Sequence, residues 1–185
     1  MPAFGNPDAQ LLIVGLAPAA HGGNRTGRIF TGDESGNFLF RAIHAVGLSN
    51  RPESVRAGDG LALHGALLTA AVKCAPPDNR PLPGEFENCR EYLIEETSLI
   101  ARPRVLVALG GLAFESCLLA LAETGAPRPR PKPRFAHGAR YLIGDAVLYA
   151  SYHPSQQNTF TGRLTQPMLR AVLRRAAREA KDISA

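Results

Sequence analysis

The chain has 185 residues, of which 45 % are hydrophobic, and a formal net charge of +5. This length predicts a single domain over residues 1–185 with a sizeable core, and the apolar content excludes a disordered chain. No apolar run is long enough to cross a bilayer and residues 1–8 lack a signal-peptide pattern, so the sequence predicts a cytoplasmic protein with no membrane partner. The surplus of 21 Lys and Arg over 16 Asp and Glu is compatible with a polyanionic partner but too modest to establish one.

Four short apolar runs are typical of buried strands. Because near-continuous apolar runs suit parallel strands that are covered on both faces, we expect these runs to form a parallel sheet. The runs span Gln10–Val14, Ala66–Val72, Val105–Leu109 and Ala146–Tyr152.

Helical patterns alternate with these strands. Asp33 can cap a helix that stops at Gly47, because its short carboxylate can accept hydrogen bonds from the first turn. The alternation predicts an α/β fold, with the parallel sheet between two layers of helices. Further helices are predicted over Glu85–Ala101, Leu112–Ala122 and Pro167–Lys181.

Polar loops follow three of the predicted strands. Residues 15–28 and 153–162 are long and glycine-containing, and residues 73–81 are rich in proline. Because α/β sheets bind ligands beyond the carboxyl ends of their strands, we expect these loops to share one site. The first loop matches neither GxxxxGK(S/T) nor GxGxxG, and its composition disfavours a helix, so we expect an irregular loop.

Several residues have a structural and a functional interpretation. Phe30 can stack on a flat ring or simply pack under its loop, and Asp33 can act in the site or only cap the helix.

Cys74 and Cys89 are half of a tetrahedral sulfur site, so their spacing alone is weak evidence for a metal. The Pro-rich basic segment 126–134 is either a stiff connector or a strap that contacts phosphates. Cys117 is expected in the core, and His44, His64 and His137 are expected to be ordinary loop or helix residues.

Three segments, in chain order, resemble motifs of the uracil-DNA glycosylase superfamily, specifically its family 5, or type b. They are Gly15–Asp33 (GLAPAAHGGNRTGRIFTGD), Thr69–Pro81 (TAAVKCAPPDNRP) and His153–Thr165 (HPSQQNTFTGRLT). The resemblance implies a three-layer αβα sandwich around a four-stranded parallel sheet. It also implies base excision repair: hydrolysis of the N-glycosidic bond of uracil in DNA, and of other deaminated bases such as hypoxanthine and xanthine.

The resemblance assigns roles to residues of this chain. His153 is the expected hydrogen-bond donor to the leaving base, and Asp33 and Asn79 are candidates for orienting water and polar base edges. The expected base pocket comprises Gly15, Ala17, Pro18, Ala19, His21, Phe30 and Ala70. The expected DNA contacts are Arg25, Arg28, Lys73, Arg80, Gln156, Asn158 and Arg163, with residues 156–163 forming a loop that enters the duplex.

A 4Fe–4S cluster held by four cysteines is also implied by the resemblance. Cys74 and Cys89 match the second pair of ligands, whereas this sequence has no counterpart of the N-terminal Cys-x-x-Cys segment. We therefore expect a truncated or lost N-terminal segment and an incomplete ligand set. The alternative function is a damaged-DNA-binding protein that lost its cluster and is catalytically impaired.

Two alanines stand where related branches of the superfamily have polar groups. They are Ala17, in place of a water-orienting group, and Ala70, in place of an amide that reads uracil. Fewer hydrogen-bonding groups in the pocket predict a broader tolerance for damaged bases. The expected partner is DNA containing such bases, and the expected oligomeric state is a monomer.

Overall fold

The computed structural model describes residues 1–6, 8–100 and 104–182. Within these residues, six strands form one sheet in the order β1–β3–β2–β4–β6–β5. The strands are β1 (Phe4–Gly5), β2 (Leu11–Gly15), β3 (Ala66–Ala70), β4 (Arg104–Leu109), β5 (Arg140–Ile143) and β6 (Ala146–Ser151).

The helices lie between these strands and after the last one. Helix α2 begins as predicted, because the Asp33 carboxylate accepts a hydrogen bond from the Gly36 N–H at 2.8 Å. The predicted last residue of α3, Ala101, lies outside the described residues. The helices are α1 (Gly23–Thr26), α2 (Glu34–Ala45), α3 (Pro83–Leu99), α4 (Gly111–Glu123), α5 (Gln156–Phe160) and α6 (Gln166–Asp182), with a 3-10 turn at Pro77–Asn79.

The sheet has six described strands rather than the four expected. The four predicted strands, β3, β2, β4 and β6, pair in parallel with one another as its centre. The additional edge strands β1 and β5 pair antiparallel with β3 and β6. Strand β1 has two residues, and Arg140 and Leu142 of β5 are exposed, so neither edge carries the buried apolar run that predicts a strand.

Each face of the sheet is covered by helices. Leu11 and Ile13 of β2 belong to one buried cluster, with residues of α2 and α6, whereas Leu12 and Val14 belong to another, with residues of α3 and α4. This alternation follows from the two-residue period of a strand, and burying each such side chain contributes about 1.5–3 kcal/mol. Cys117 is fully buried in the second cluster, as predicted.

The strand registers bring the carboxyl ends of the central strands together. Gly15 pairs with Ala70 at the ends of β2 and β3, and Leu109 pairs with Ser151 at the ends of β4 and β6. The loops that follow these strands therefore start from one edge of the sheet, where the sequence predicted a shared site.

The Pro-rich segment 126–134 contacts helix α4 through exposed ion pairs. Arg128 lies 3.7 Å from Glu123, and Lys132 pairs with Glu115. Exposed ion pairs contribute at most about 1 kcal/mol, so these contacts orient the segment more than they stabilise it. They favour a connector over a phosphate-binding strap. Across the described ranges, no helix is long and apolar enough to cross a membrane.

Candidate active site

A cavity of about 660 Å³ opens at the carboxyl edge of the sheet. The loops after β2, β3 and β6 all contribute to its wall, together with the first residues of α2. Its volume lies in the range of roughly 300–1,000 Å³ that is typical of small-ligand sites. Of the residues predicted for the site, those in its wall are Ala17, Pro18, Ala19, His21, Phe30, Asp33, Asn79, His153 and Gln156.

Phe30 and His153 place two rings side by side in this wall. Their centroids are 5.8 Å apart, with an angle of 32° between the planes. Phe30 has a φ of 52°, an uncommon left-handed conformation for a non-glycine residue. Phe30 packs under its loop, with 7 % of its surface exposed, and its ring also lines the cavity, so its stacking on a flat ring stays a prediction.

Two glycines make room for Phe30. A Cβ atom on Gly15 would lie 2.5 Å from the ring, and one on Gly36 would lie 1.9 Å from the Phe30 carbonyl oxygen. Gly15 was predicted to line the base pocket. It lies behind the Phe30 ring instead and is not part of the cavity wall. Ala70, also predicted for the pocket, is buried at the end of β3 and lies outside the cavity wall.

His153 lies two residues after the end of β6 and is neutral at physiological pH. Burial lowers the pKa of its imidazole to about 4, and the nearby Asp33 charge opposes this shift only partly. A neutral imidazole offers one N–H donor and one acceptor. His153 can therefore donate a hydrogen bond to a ligand without bringing a positive charge into the cavity.

Asp33 and Asn79 border the cavity from opposite loops. Asp33 caps α2, and its second carboxylate oxygen is so close to Gly22 that a Cβ there would lie 2.3 Å from it. Asn79 closes the 3-10 turn with a φ of 55°, after Asp78 with a φ of 52°. Two successive left-handed residues make a tight turn that brings exposed Asn79 to the cavity rim.

Arg28 was predicted to contact DNA, but it is buried in an ion pair with Asp59. Its two terminal nitrogens lie 3.0 and 2.9 Å from the Asp59 carboxylate oxygens, and its guanidinium lies 4.3 Å from the centre of the Phe4 ring. Burial alone would raise the pKa of Asp59, but Arg28 and three backbone N–H groups hold that pKa well below its ordinary value. Arg28 therefore fastens its loop to the segment around Asp59.

Lys73 is the second predicted DNA contact that the structure contradicts. Its ammonium is buried and donates to the two Glu96 carboxylate oxygens at 2.7 and 2.6 Å and to the Thr69 hydroxyl at 2.7 Å. Burial lowers the pKa of Lys73, and the Glu96 charge opposes this shift. This network fastens the end of β3 to α3 and leaves no donor turned toward solvent for a phosphate.

Three other cationic residues that were predicted to contact DNA are exposed. They are Arg25, Arg80 and Arg163, and within the described part of the chain no ion pair holds any of them. Arg25 donates to the His21 carbonyl at 3.0 Å, and the Arg163 guanidinium lies 4.6 Å from the centre of the Tyr152 ring. These groups lie in the segments that follow β2, β3 and β6 and are available to a polyanion.

Asn158 was predicted to contact DNA, but its side chain turns back to the protein. Its amide donates to the His153 carbonyl at 2.9 Å. His137, expected to be an ordinary loop residue, also contacts this region, because its Nδ1 accepts the Tyr152 backbone N–H at 3.2 Å. The His137 contact left no local signal in the sequence, because its partner Tyr152 is fifteen positions away along the chain.

Two of the expected loops contain short helices. Helix α1 forms one turn within residues 15–28 and ends at Gly27, which has a φ of 76°. Helix α5 occupies the first half of residues 156–163. The last residue of α5, Phe160, is 79 % exposed and was not among the residues predicted to contact DNA. Its signal was present as an aromatic residue within an otherwise polar segment.

The cysteines fit only part of a cluster site. Cys89 is buried and its sulfur accepts the Lys73 backbone N–H at 3.3 Å, whereas Cys74 is exposed. Within residues 1–6, 8–100 and 104–182, no group of three or more His, Cys, Asp or Glu side chains could hold a metal ion. The described residues thus supply two of the four thiolates that a 4Fe–4S cluster needs, and they do not fit the complete group.

The fold and the cavity define a class of protein. A mostly parallel sheet carries, at its carboxyl edge, a cavity with an aromatic face and a neutral hydrogen-bond donor, and exposed arginines lie in the segments that follow β2, β3 and β6. These features suit a flat, polar ring attached to an anionic chain. The family model described as "Uracil DNA glycosylase superfamily" matches residues 2–177, and the chain belongs to this superfamily.

Several curated relatives carry the same name. A "Type-5 uracil-DNA glycosylase" from Thermus thermophilus is 50 % identical over 181 residues, which cover 97 % of this chain and 80 % of the relative. Relatives of the same name from Pyrobaculum aerophilum and Mycobacterium bovis are each 49 % identical, over 97 % of this chain and over 76 % and 66 % of their own lengths.

Proposed function

We propose that this protein is a DNA glycosylase that hydrolyses the N-glycosidic bond of uracil in DNA, as the first step of base excision repair. The observation that carries the proposal is the pairing of the Phe30 and His153 rings, 5.8 Å apart, in the wall of one cavity. The names of the relatives and the superfamily support the same reaction.

The substrate must enter the cavity as an extruded nucleotide. A base inside the duplex cannot reach a cavity at the edge of a sheet, so the uracil is rotated out of the stack at a cost of a few kcal/mol. The Phe30 ring then stacks on the base, which contributes about 1–3 kcal/mol. The neighbouring small residues of the β2 loop, among them Ala17 and Ala19, leave space for the base edge.

His153 stabilises the departing base. As the glycosidic bond breaks, its electrons remain on uracil and negative charge grows on a uracil oxygen, toward which the neutral His153 imidazole donates a hydrogen bond. Because this group is half-buried, the donor acts where water competes little. A water oxygen replaces the base nitrogen at the sugar carbon, and the proton released passes to solvent.

Asp33 and Asn79 are proposed to orient that water and the polar edges of the base. One Asp33 oxygen is occupied by the Gly36 N–H, so the other oxygen is the one that can accept from water. The negative charge of Asp33 also opposes the positive charge that develops on the sugar. His21, exposed at the same rim, is proposed to lie beside the base or its phosphate.

The DNA strand is held by the exposed cationic rim. Arg25, Arg80 and Arg163 are proposed to contact phosphates, with Gln156 at the cavity mouth. Phe160, the most exposed large apolar side chain of the nearby α5, is proposed to fill the space that the extruded base leaves in the duplex.

A broader base preference belongs to the same proposal. Ala17 and Ala19 present only methyl groups to the cavity, so this part of the wall has no side-chain hydrogen bond with which to distinguish uracil from another deaminated ring. Oligonucleotides that contain hypoxanthine or xanthine, compared with uracil under identical conditions, test this part separately.

The cluster is proposed only in a limited form. Cys74 and Cys89 would be two of its ligands, and further ligands would have to come from outside the residues described; when bound, the group would brace the segment between β3 and α3. No step of the reaction above uses it. Iron analysis and visible absorbance of the purified protein test this, and the absence of both would reject it.

The test of the reaction is a uracil-containing oligonucleotide labelled at one end. Excision leaves an abasic site that alkali cleaves, so the wild-type protein should produce strand breaks and His153→Ala should be slower by about 100-fold or more. A His64→Ala variant, at an exposed histidine outside the cavity, is the matched control. Binding without strand breaks would support a catalytically impaired damaged-DNA-binding protein instead.

A further inference from the structure

The backbone hydrogen bonds of the sheet end at Ser151, two residues before His153. The last bonds at this end of β6 are those from the Gly110 N–H to the Ser151 carbonyl at 2.8 Å and from the Gly138 N–H to the Ala150 carbonyl at 2.8 Å. Among the described residues, no backbone–backbone hydrogen bond involves Tyr152 or His153. Because buried backbone groups need partners, the direction of the chain at His153 must be fixed in another way.

Three side chains hold this stretch of backbone. The His137 Nδ1 accepts the Tyr152 N–H at 3.2 Å, and the Ser151 hydroxyl donates to the Tyr152 carbonyl at 3.0 Å. The Asn158 amide donates to the His153 carbonyl at 2.9 Å. We name the side chains of His137, Ser151 and Asn158 the backbone clamp.

The chemistry of the clamp defines the state of His137. A backbone N–H can only donate, so the His137 Nδ1 must carry no proton and the neutral ring must carry its proton on Nε2. Burial lowers the pKa of His137, in agreement with a neutral ring. The ring also stacks on Tyr152, with centroids 5.0 Å apart and 17° between the planes, so one rotation would break both contacts.

We propose that the backbone clamp aims the His153 imidazole at the leaving base. Its members are positioning residues, because none of the three lies in the cavity wall. This inference rests on the function proposed for His153. A displacement of about 1 Å at a reacting group can cost about 100-fold in rate, so a small rotation of the Tyr152–His153 peptide would be costly.

Variants of similar shape distinguish the loss of a clamp hydrogen bond from the loss of side-chain packing. His137→Phe keeps a flat ring on Tyr152 but removes the acceptor, whereas His137→Asn keeps an acceptor near the Nδ1 position without the ring. Asn158→Asp keeps the shape of the side chain but removes the donor to the His153 carbonyl. His64→Phe and Asn88→Asp make the same changes at exposed residues outside the clamp and the cavity.

Single-turnover excision and DNA binding are measured on the full chain. Binding uses a duplex with 2′-fluoro-2′-deoxyuridine, whose glycosidic bond resists hydrolysis. We expect excision by His137→Phe and Asn158→Asp to be slower by about tenfold or more, with binding and melting temperature near those of the wild type, and His137→Asn to recover most of the rate. Excision at the wild-type rate by both His137→Phe and Asn158→Asp would overturn the proposal. So would a loss of excision rate that is fully accounted for by weaker DNA binding or by a lower melting temperature.

An independent measurement keeps this test separate from the reaction itself. If the wild type releases no uracil, the proposed function fails, and NMR titration of the His153 ring still decides the clamp. The pKa of His153, about 4 in the wild type, should move toward its ordinary value when the clamp is opened by the uncharged changes Asn158→Leu or Ser151→Ala. An unchanged titration in both variants would contradict the clamp, and the Ser151→Ala variant serves if His137→Phe does not fold.

Discussion

Arg25 and Arg28 are three positions apart in the same glycine-containing loop, but they differ in exposure and in ion pairing. Arg25 is exposed at the cavity rim, whereas Arg28 is 5 % exposed and paired with Asp59. The loops after β3 and β6 repeat the contrast, since buried Lys73 is paired with Glu96, whereas exposed Arg163 lies over the ring of Tyr152. Cations in one motif thus divide into a group that fastens loops and a group that is available to DNA.

The division has an electrostatic basis. A buried cation needs a partner, because an unpaired charge away from water costs several kcal/mol, and the pair then contributes little field at a distance. An exposed arginine keeps its charge available to a polyanion and is screened by salt. The same residue type therefore contributes to stability in one place and to DNA affinity in the other.

The largest effect expected from this contrast is on stability. Arg28→Met leaves the Asp59 carboxylate buried without its partner, so the free energy of unfolding should fall by about 3–5 kcal/mol. Arg25→Met, the matched change at the rim, should alter it by no more than about 0.5 kcal/mol. Chemical denaturation of both variants checks this, and equal losses would remove the distinction between the two groups.

A pH dependence should distinguish His153 from an exposed histidine. Its folded-state pKa of about 4 lies below the unfolded value, so the unfolded chain binds the proton first as the pH falls. The stability that the neutral, buried His153 contributes to the fold is fully present above about pH 6.5. It is lost as the pH falls from about 6.5 to 4, to a total of about 3 kcal/mol of the free energy of unfolding. Denaturation curves at several pH values should show a shallower loss for His153→Gln than for the wild type, and His64→Gln should retain the wild-type slope.

Gly15 tests how tightly the rim is built around Phe30. In Gly15→Ala the new Cβ would lie 2.5 Å from the Phe30 ring, so the ring must shift away from the base. Excision should slow by about tenfold, which corresponds to about 1.4 kcal/mol of lost stabilisation. Gly84→Ala is the control, because no atom lies within 4 Å of a Cβ at that position. A wild-type rate for Gly15→Ala would mean that Phe30 does not stack on the base.

The smallest effects should appear in the salt dependence of DNA binding. Replacing Arg25, Arg80 or Arg163 by alanine should each reduce the slope of log affinity against log salt by about 1. Arg128→Ala, in the Pro-rich segment, should leave the slope unchanged if this segment is a connector. A reduced slope for Arg128→Ala would restore the strap interpretation, and unchanged slopes at the rim would reject the phosphate contacts.

The sequence predicted the central sheet because buried strands leave a local signal. The apolar run Ala146–Tyr152, for example, differs from the observed strand Ala146–Ser151 by one residue. Strand β5 left no such signal, because its residues at the edge of the sheet are partly exposed. The loops that meet at the cavity could be predicted from their positions after strands and from their motifs.

The roles of individual polar side chains could not be predicted in the same way. Whether Arg28 contacts DNA depends on Asp59, which lies 31 positions away, and whether Lys73 does depends on Glu96, 23 positions away. Asn158 has the composition of a DNA contact but turns toward His153 only because α5 forms. Such partners are set by the tertiary structure and leave no pattern in the local sequence.

The claim on which this account depends is that one cavity receives an extruded uracil between Phe30 and His153. A crystal structure with a duplex that contains 2′-fluoro-2′-deoxyuridine tests it directly. We expect the uracil ring to stack on Phe30, with a uracil oxygen within hydrogen-bonding distance, about 2.7–3.2 Å, of a His153 ring nitrogen. A uracil that remains stacked in the duplex, or that binds with His153 turned away from it, would contradict the account.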